Sequence, residues 1–229
     1  MQTLVCDSDK DLPRQALEAL ALDGYRENRL TQKQVGELLN LSRIQTEDFL
    51  AADLDLYDYD PAELSREAEQ LREYMSDIFR TMWLSSRTAF PCGISSIPNA
   101  AHMELAHESA PLEVRTRIAN PPSWLCVTPL IGTVDASLTE VLDPGESEAI
   151  ELALELQADF ILIDEKKGRS EADRRGLKVI GALGLIMEAY KGGLTDDPRD
   201  VLSELRGHGF RLSRRLILEF ERLVRASQP

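Results

Sequence analysis

The chain has 229 residues, 43% of them hydrophobic, with 26 basic residues against 40 acidic ones and a formal net charge of −14. That is enough chain for one large domain or two small ones, and no run approaches the about 18 apolar residues of a membrane span. So acidic a chain gains little from counterion release on a polyanion, which excludes non-specific nucleic-acid coating as its task.

The first residues, MQTLVCDSDKD, lack a basic stretch followed by an apolar one, so no secretory signal is expected. Cys6, Cys92 and Cys126 are odd in number and widely spaced, the pattern of reduced thiols in a cytoplasm. Residues 1–52 read as an all-helical module. Leu17, Leu20 and Ala21 share one face, continued by Leu12 and Ala16. Thr31 can cap a second helix with Val35, Leu38 and Leu39 on its apolar side, and Ser42 a third with Ile44, Phe49 and Leu50. Two short helices across the turn Asn40-Leu41-Ser42 have the form of a helix-turn-helix. Its second helix would offer Arg43, Gln45 and Thr46 to operator DNA, while Glu47 and Asp48 would oppose the phosphates. Packing or dimerisation through this motif is an equal reading.

Residues 53–83 form an acidic linker, DLDLYDYD, followed by a helix opened by Pro61. That helix is amphipathic, so it is expected to lie on a partner surface. Residues 84–229 alternate strand and helix. The strands are GISSI, WLCVTPL, DFILID and LKVIG; the helices include NAAHMELAHE, Glu146–Leu156, ALGLIMEAYKG and two more near 200–206 and 213–226. This alternation predicts an α/β domain with a parallel sheet flanked by helices. The segment Lys166–Arg175, with five bases, is the best local basic surface for binding a nucleic acid, and the bland expectation for it is a solvated loop.

In an open α/β sheet, ligands bind beyond the carboxyl ends of the strands. Asp164 stands there, after Phe160–Ile163. Glu146 and Glu148 open a helix, where the dipole also favours anions, and Glu104 lies in the helix after Pro98. Hard oxygen ligands from several elements suit Mg²⁺ or Mn²⁺, and such ions activate water in phosphodiester cleavage. The bland alternative is a solvated helix face and a polar loop. His102 and His107 are five apart and do not share a face as zinc pairs do. No nucleophile elbow or phosphate-cradling loop of the usual form is present.

The segments IPNAAHMEL, LDPGESEAIELALELQADFILIDEKKGRSEADRRGLKVIGALGLIMEAYKGGL and LRGHGFRLSRRL resemble a PIN-domain subfamily over about residues 93–226. The resemblance implies a metal-dependent ribonuclease of the VapC toxin type. It places catalytic and metal-binding acids at Glu104, Glu146 and Asp164, with Glu148 and Glu165 beside them, and Arg169 near the RNA phosphates. The segment ALALDGYRENRLTQKQVGELLNLSRIQTEDFLA, with LYDYDPAELSREAEQL as its tail, resembles a small VapB-like antitoxin family. Together they look like antitoxin and toxin fused in one chain, with the ribonuclease domain masked in cis or catalytically weakened, and with an intramolecular antitoxin–toxin contact and a homo-oligomer implied. The family's opening strand, which ends in an aspartate, has no standard counterpart here. Asp77 is the nearby candidate for that acid. Arg66, Arg72, Arg80 and Arg87 are expected to mask the acids as guanidinium–carboxylate pairs. The competing reading is a non-catalytic DNA-binding or protein-interaction regulator.

Overall fold

The helices that follow Thr31, Ser42, Asp135 and Ser213 start where those side chains accept from their first amides. A computed structural model describes residues 12–227 apart from 55, 58, 59, 68, 72–94, 109, 111, 208, 209 and 211. Arg72, Asp77, Arg80, Arg87, Cys6 and Cys92 lie outside the described residues. In chain order the elements are α1 (Leu12–Arg26), α2 (Gln32–Leu39), α3 (Arg43–Asp53) and α4, the helical residues 61–67 and 69–71. Then come β1 (Ser95–Ile97), α5 (Asn99–Ala106), α6 (Leu112–Ala119), β2 (Leu125–Val127), α7 (Ala136–Thr139) and α8 (Pro144–Glu155). The chain continues through β3 (Ile161–Leu162), α9 (Lys166–Arg174), β4 (Val179–Ile180), α10 (Ala182–Lys191), α11 (Pro198–Gly207) and α12 (Arg214–Ala226). Two compact units result: Met1–Leu54 with Asp135–Asp143, and Asp55–Val134 with Pro144–Pro229.

In the first unit, Thr31 and Ser42 each close a capping box, with Gln34 and Gln45 as the reciprocal partners. Asn40 adopts φ 54°, which ends α2 and turns the chain into α3. Ala21, Tyr25, Val35, Leu39 and Leu50 are buried. Thr46 is buried too, its hydroxyl donating to the Ser42 carbonyl at 2.9 Å. A Cβ at Gly36 would meet that hydroxyl at 2.7 Å, so only glycine lets α2 and α3 come this close. The unit also holds α7, with Leu138 and Leu142 buried. The Lys33 amide in the first turn of α2 donates to Asp143 Oδ1 at 3.0 Å, adding an acidic acceptor to the Thr31 cap of that helix.

In the second unit, β1 pairs with β2 and β3 with β4, both parallel, in the registers Ser95↔Leu125 and Ile161↔Val179. Parallel neighbours need a crossover; α5 and α6 supply the first, α9 the second. The expected strand at Phe160–Ile163 is thus present as β3, in a two-stranded parallel sheet. Lys166–Arg174 is a helix, not the expected loop, and it buries Gly168, Arg169 and Ala172. The reason is packing: small residues at 168 and 172 let one face of a charged helix seat against the core.

The main apolar cluster joins Leu183, Ile186 and Met187 of α10, Leu202 of α11 and Leu216, Phe220 and Val224 of α12 with Leu64 of α4. The described residues between 56 and 71 are stitched to this unit at several points. The Leu56 carbonyl accepts from the Lys166 amide at 2.9 Å, Tyr57 meets Phe210 at 6.5 Å between centroids, and the Ser65 hydroxyl donates to Glu219 Oε1 at 3.1 Å. The sequence expectation that this helix lies on a partner surface is met by the core of its own chain. Leu64, Glu67 and Leu71, spaced i, i+3, i+7, form its buried stripe.

Two stability predictions follow from these contacts. Leu64→Ala leaves a cavity in the main cluster and lowers unfolding free energy in urea by about 2–5 kcal/mol; a cost below about 0.5 kcal/mol would mean α4 is only loosely applied. Thr31→Ala removes one cap and costs about 1 kcal/mol.

Candidate functional site

The feature that a stripe of leucines does not explain is Glu67, 3% exposed. A buried carboxylate is costly unless paired. Its partner is Arg169 of α9, 4% exposed, whose Nη2 donates to Glu67 Oε1 and, at 3.1 Å, to Glu63 Oε2. Arg169 Nη1 donates to the Ile163 carbonyl at 2.9 Å, which fixes the guanidinium at the end of β3. The second oxygen of Glu67 accepts from the Gly181 amide at 3.0 Å. Gly181 is the N-cap of α10 and has no side chain to cap it. Glu67 therefore caps α10 from another helix, together with Asp164, whose Oδ1 accepts from the Ala182 amide at 2.8 Å.

Electrostatics follow from this crowding. Burial raises the Glu67 carboxyl above its usual range, Arg169 and the Gly181 amide pull it back, and the Asp164 charge pushes it up further. Desolvation likewise raises Asp164, opposed by the Ala182 amide and by Arg169.

The other expected acids lie along a series of close approaches. Glu104 of α5 lies against Gly145 in the first turn of α8, where a Cβ would meet its Oε1 at 2.9 Å. Glu146 of α8 lies against Gly168 of α9, where a Cβ would meet its Oε1 at 2.6 Å. Glu148 Oε2 accepts from the Ala100 amide at 2.8 Å, capping α5, whose own N-cap Pro98 makes no side-chain cap bond. Glu165 is the N-cap of α9 without a side-chain cap bond. Among the described residues, no three His, Cys, Asp or Glu side chains form a group able to hold a metal ion. Asp164, Glu148 and Glu67 are each committed to a backbone amide, and Arg169 already supplies a cation beside Asp164. In this arrangement a divalent ion at Asp164 would have to displace the Ala182 amide and compete with the Arg169 guanidinium.

Of the expected masking arginines, Arg66 is described. Its side chain is 66% exposed and its Nη2 lies 4.0 Å from Glu63 Oε1. The acids of α4, Glu63 and Glu67, are the residues that reach the β3 end. In the helical module, Arg43 Nε lies 3.7 Å from Glu47, and the Gln45 side chain accepts from the Ser42 amide at 2.9 Å. Thr46, being buried and bonded to Ser42, presents no side chain to a groove.

A family model described as a PIN domain matches residues 93–226. The chain belongs to the PIN-domain family. A second model, described as an uncharacterised protein family (UPF0175) and related to VapB-like antitoxins, matches residues 4–73, and the two together are consistent with an antitoxin–PIN fusion. No curated protein and no solved structure matches the chain. The family and compact-unit boundaries do not coincide. The described residues between 56 and 71 belong to the antitoxin-family match and fold with the PIN unit, whereas residues 135–143 belong to the PIN match and fold with the helical module. Glu67 thus comes from the antitoxin-family side and Arg169 from the PIN side.

Sequence reasoning missed Glu67 because glutamate in an amphipathic helix ordinarily marks the solvent face. Its position midway between Leu64 and Leu71 on the buried stripe is the signal that could have found it.

The raised carboxyls carry a pH signature. Both bind a proton more readily folded than unfolded, so their contribution to stability is greatest at acid pH. It is lost as pH rises from the ordinary values of 3.8 for Asp164 and 4.5 for Glu67 through the raised ones. Glu67→Gln cannot titrate and keeps an oxygen for the Gly181 amide. Measured by thermal melting, the wild-type advantage over Glu67→Gln should fall as pH is raised above about 4.5. A difference that does not change with pH contradicts the assignment.

Proposed function

We propose that the chain is a VapBC-type antitoxin–toxin fusion whose PIN domain is held shut in cis by residues 56–71. The activity held in check is metal-dependent hydrolysis of RNA, with Glu104, Glu146 and Asp164 as the principal acids, Glu148, Glu165 and Asp77 accompanying them, and Mg²⁺ or Mn²⁺ as the ion. The observation that carries this reading is the pair Glu67–Arg169, in which a residue of the antitoxin-family segment is buried against the end of β3 beside Asp164. Masking on this reading runs through the acids Glu63 and Glu67, with Arg66 outside the contact. Because latch and domain share one chain, the contact is intramolecular, and a modest interaction keeps the site closed.

A second reading, a non-catalytic regulator acting through the helical module on DNA or protein, is favoured by one observation: the described acids are committed singly to amides and do not gather around a common point.

One assay separates them. The full chain is incubated with RNA and Mn²⁺ as wild type, as Glu63→Gln/Glu67→Gln and as that double variant carrying Asp164→Asn. The masked-nuclease reading expects low cleavage by wild type, a rise of about tenfold or more in the double variant as two charge-assisted bonds weaken, and loss of that rise with Asp164→Asn. Equal background from all three, each giving a cooperative melt, would leave the regulator reading.

A further inference from the structure

The chain crosses from one compact unit to the other at 54–55, 134–135 and 143–144. The last of these is a stiff joint, because Pro144 fixes its own φ and confines Asp143 to extended backbone. An aspartate directly before a helix ordinarily caps that helix, and α8 begins at Pro144. Among the described residues, the hydrogen bond of the Asp143 carboxylate goes elsewhere: Oδ1 accepts from the Lys33 amide in the first turn of α2 at 3.0 Å. Buried Leu138 and Leu142 hold the same segment in the helical module. Just past the joint, the first turn of α8 meets α5 and α9. Gly145 lies against the Glu104 carboxylate, Glu146 lies against Gly168, and Glu148 Oε2 caps α5 at the Ala100 amide. A Cβ at Gly145 or Gly168 would meet a carboxylate oxygen at 2.9 or 2.6 Å. Packing this close leaves no slack, so a small displacement of the turn must move the carboxylates or break the cap.

We infer that Asp143 is a positioning residue that couples the start of α2 to the acid-bearing first turn of α8. It lends its cap to α2, and through the Asp143–Pro144 joint the state of α2 sets where Glu146 and Glu148 stand. The far end of α8 is held separately: Glu155 accepts from the Ile131 amide at 3.0 Å and the Gly132 amide at 2.6 Å, in the loop that leads to the 134–135 crossing. With that end fixed, a pull at Asp143 is taken up in the first turn, where the acids are. A partner that binds the helical module more tightly when the start of α2 is ordered, or when it is loosened, therefore shifts the carboxylates of the second unit without touching them. Regulation of the acids by the helical module is thus built into a segment that the PIN-family match contains and the helical module folds around.

Residue-resolved amide hydrogen exchange of the full chain, without metal or RNA, tests the coupling whether or not the domain cleaves. Thr31→Ala loosens the start of α2 from its other cap. It should quicken exchange of the Ala100 amide, which Glu148 caps, by about threefold or more, while the Met187 amide in the main apolar cluster stays within about twofold. In an Asp143→Ala background, Thr31→Ala should still quicken the amides of α2 and no longer move Ala100. Asp143→Asn keeps an acceptor oxygen for Lys33 and should behave as wild type. The reverse direction leaves Asp143 intact: Glu148→Ala should quicken the Lys33 amide by a comparable factor, because coupling between two sites is reciprocal. An Ala100 amide indifferent to Thr31→Ala, an effect undiminished by Asp143→Ala, Asp143→Asn behaving as Asp143→Ala, or a Lys33 amide indifferent to Glu148→Ala overturns the inference. So does quickening of Met187 in step with Ala100, since Thr31→Ala would then act through global unfolding alone.

Discussion

A buried guanidinium shared by carboxylates from another helix is the constraint from which the second unit is organised. Arg169 sits where β3 ends and α9 begins, and it can be buried there because Glu67 and Glu63 come to it from α4. Burying either charge alone would be prohibitive, and removing one partner of such a pair typically costs about 3–5 kcal/mol. The pair therefore fixes the register of α4: shifting it by one residue would carry Leu64 out of the apolar cluster and Glu67 out of reach of Arg169 together. The Glu67 carboxylate also completes α10, whose glycine N-cap cannot cap itself. Core packing, helix capping and charge neutralisation thus converge on one side chain.

Much of the architecture was legible because it rests on local rules. Thr31 and Ser42 announce their helices by capping chemistry, and both form full boxes. The apolar run before Asp164 announces a strand, and Gly192–Gly193 the end of α10. What was not legible depends on residues far apart in the chain. Lys166–Arg174 looks like a solvated basic loop until the small side chains at Gly168 and Ala172 are seen to let it dock. The α4 face looks solvent-bound at Glu67 until its partner, 102 residues away, is in place. Arginines of the linker are natural partners for an acidic site; among the described ones Arg66 is exposed beside Glu63 of its own helix, and the acids Glu63 and Glu67 face Arg169 of the PIN domain. The resemblance marks Arg169 from sequence; its burial is a property of the fold alone.

The two family segments also exchange pieces. Residues 56–71 complete the PIN unit, and α7 with Asp143 completes the helical module, where the Asp143 carboxylate serves the first turn of α2. Each unit contains chain from both families, so neither family segment, cut at its boundary, retains all the contacts of its unit. Each exchanged piece is anchored by apolar burial as well as polar contact: Leu138 and Leu142 are buried beside the Lys33–Asp143 bond, and Leu64 and Leu71 beside the Glu67–Arg169 pair.

The account turns on whether Glu67 and Arg169 are energetically one device. A double-mutant cycle with Glu67→Gln, Arg169→Met and the double variant, read by urea unfolding of the full chain, measures that coupling directly. The account predicts an interaction energy of about 2 kcal/mol or more, within the range found for residues sharing one buried network. Additive effects, agreeing within about 0.5 kcal/mol, would mean that the two side chains are neighbours without being partners, and the latch built on them would fall.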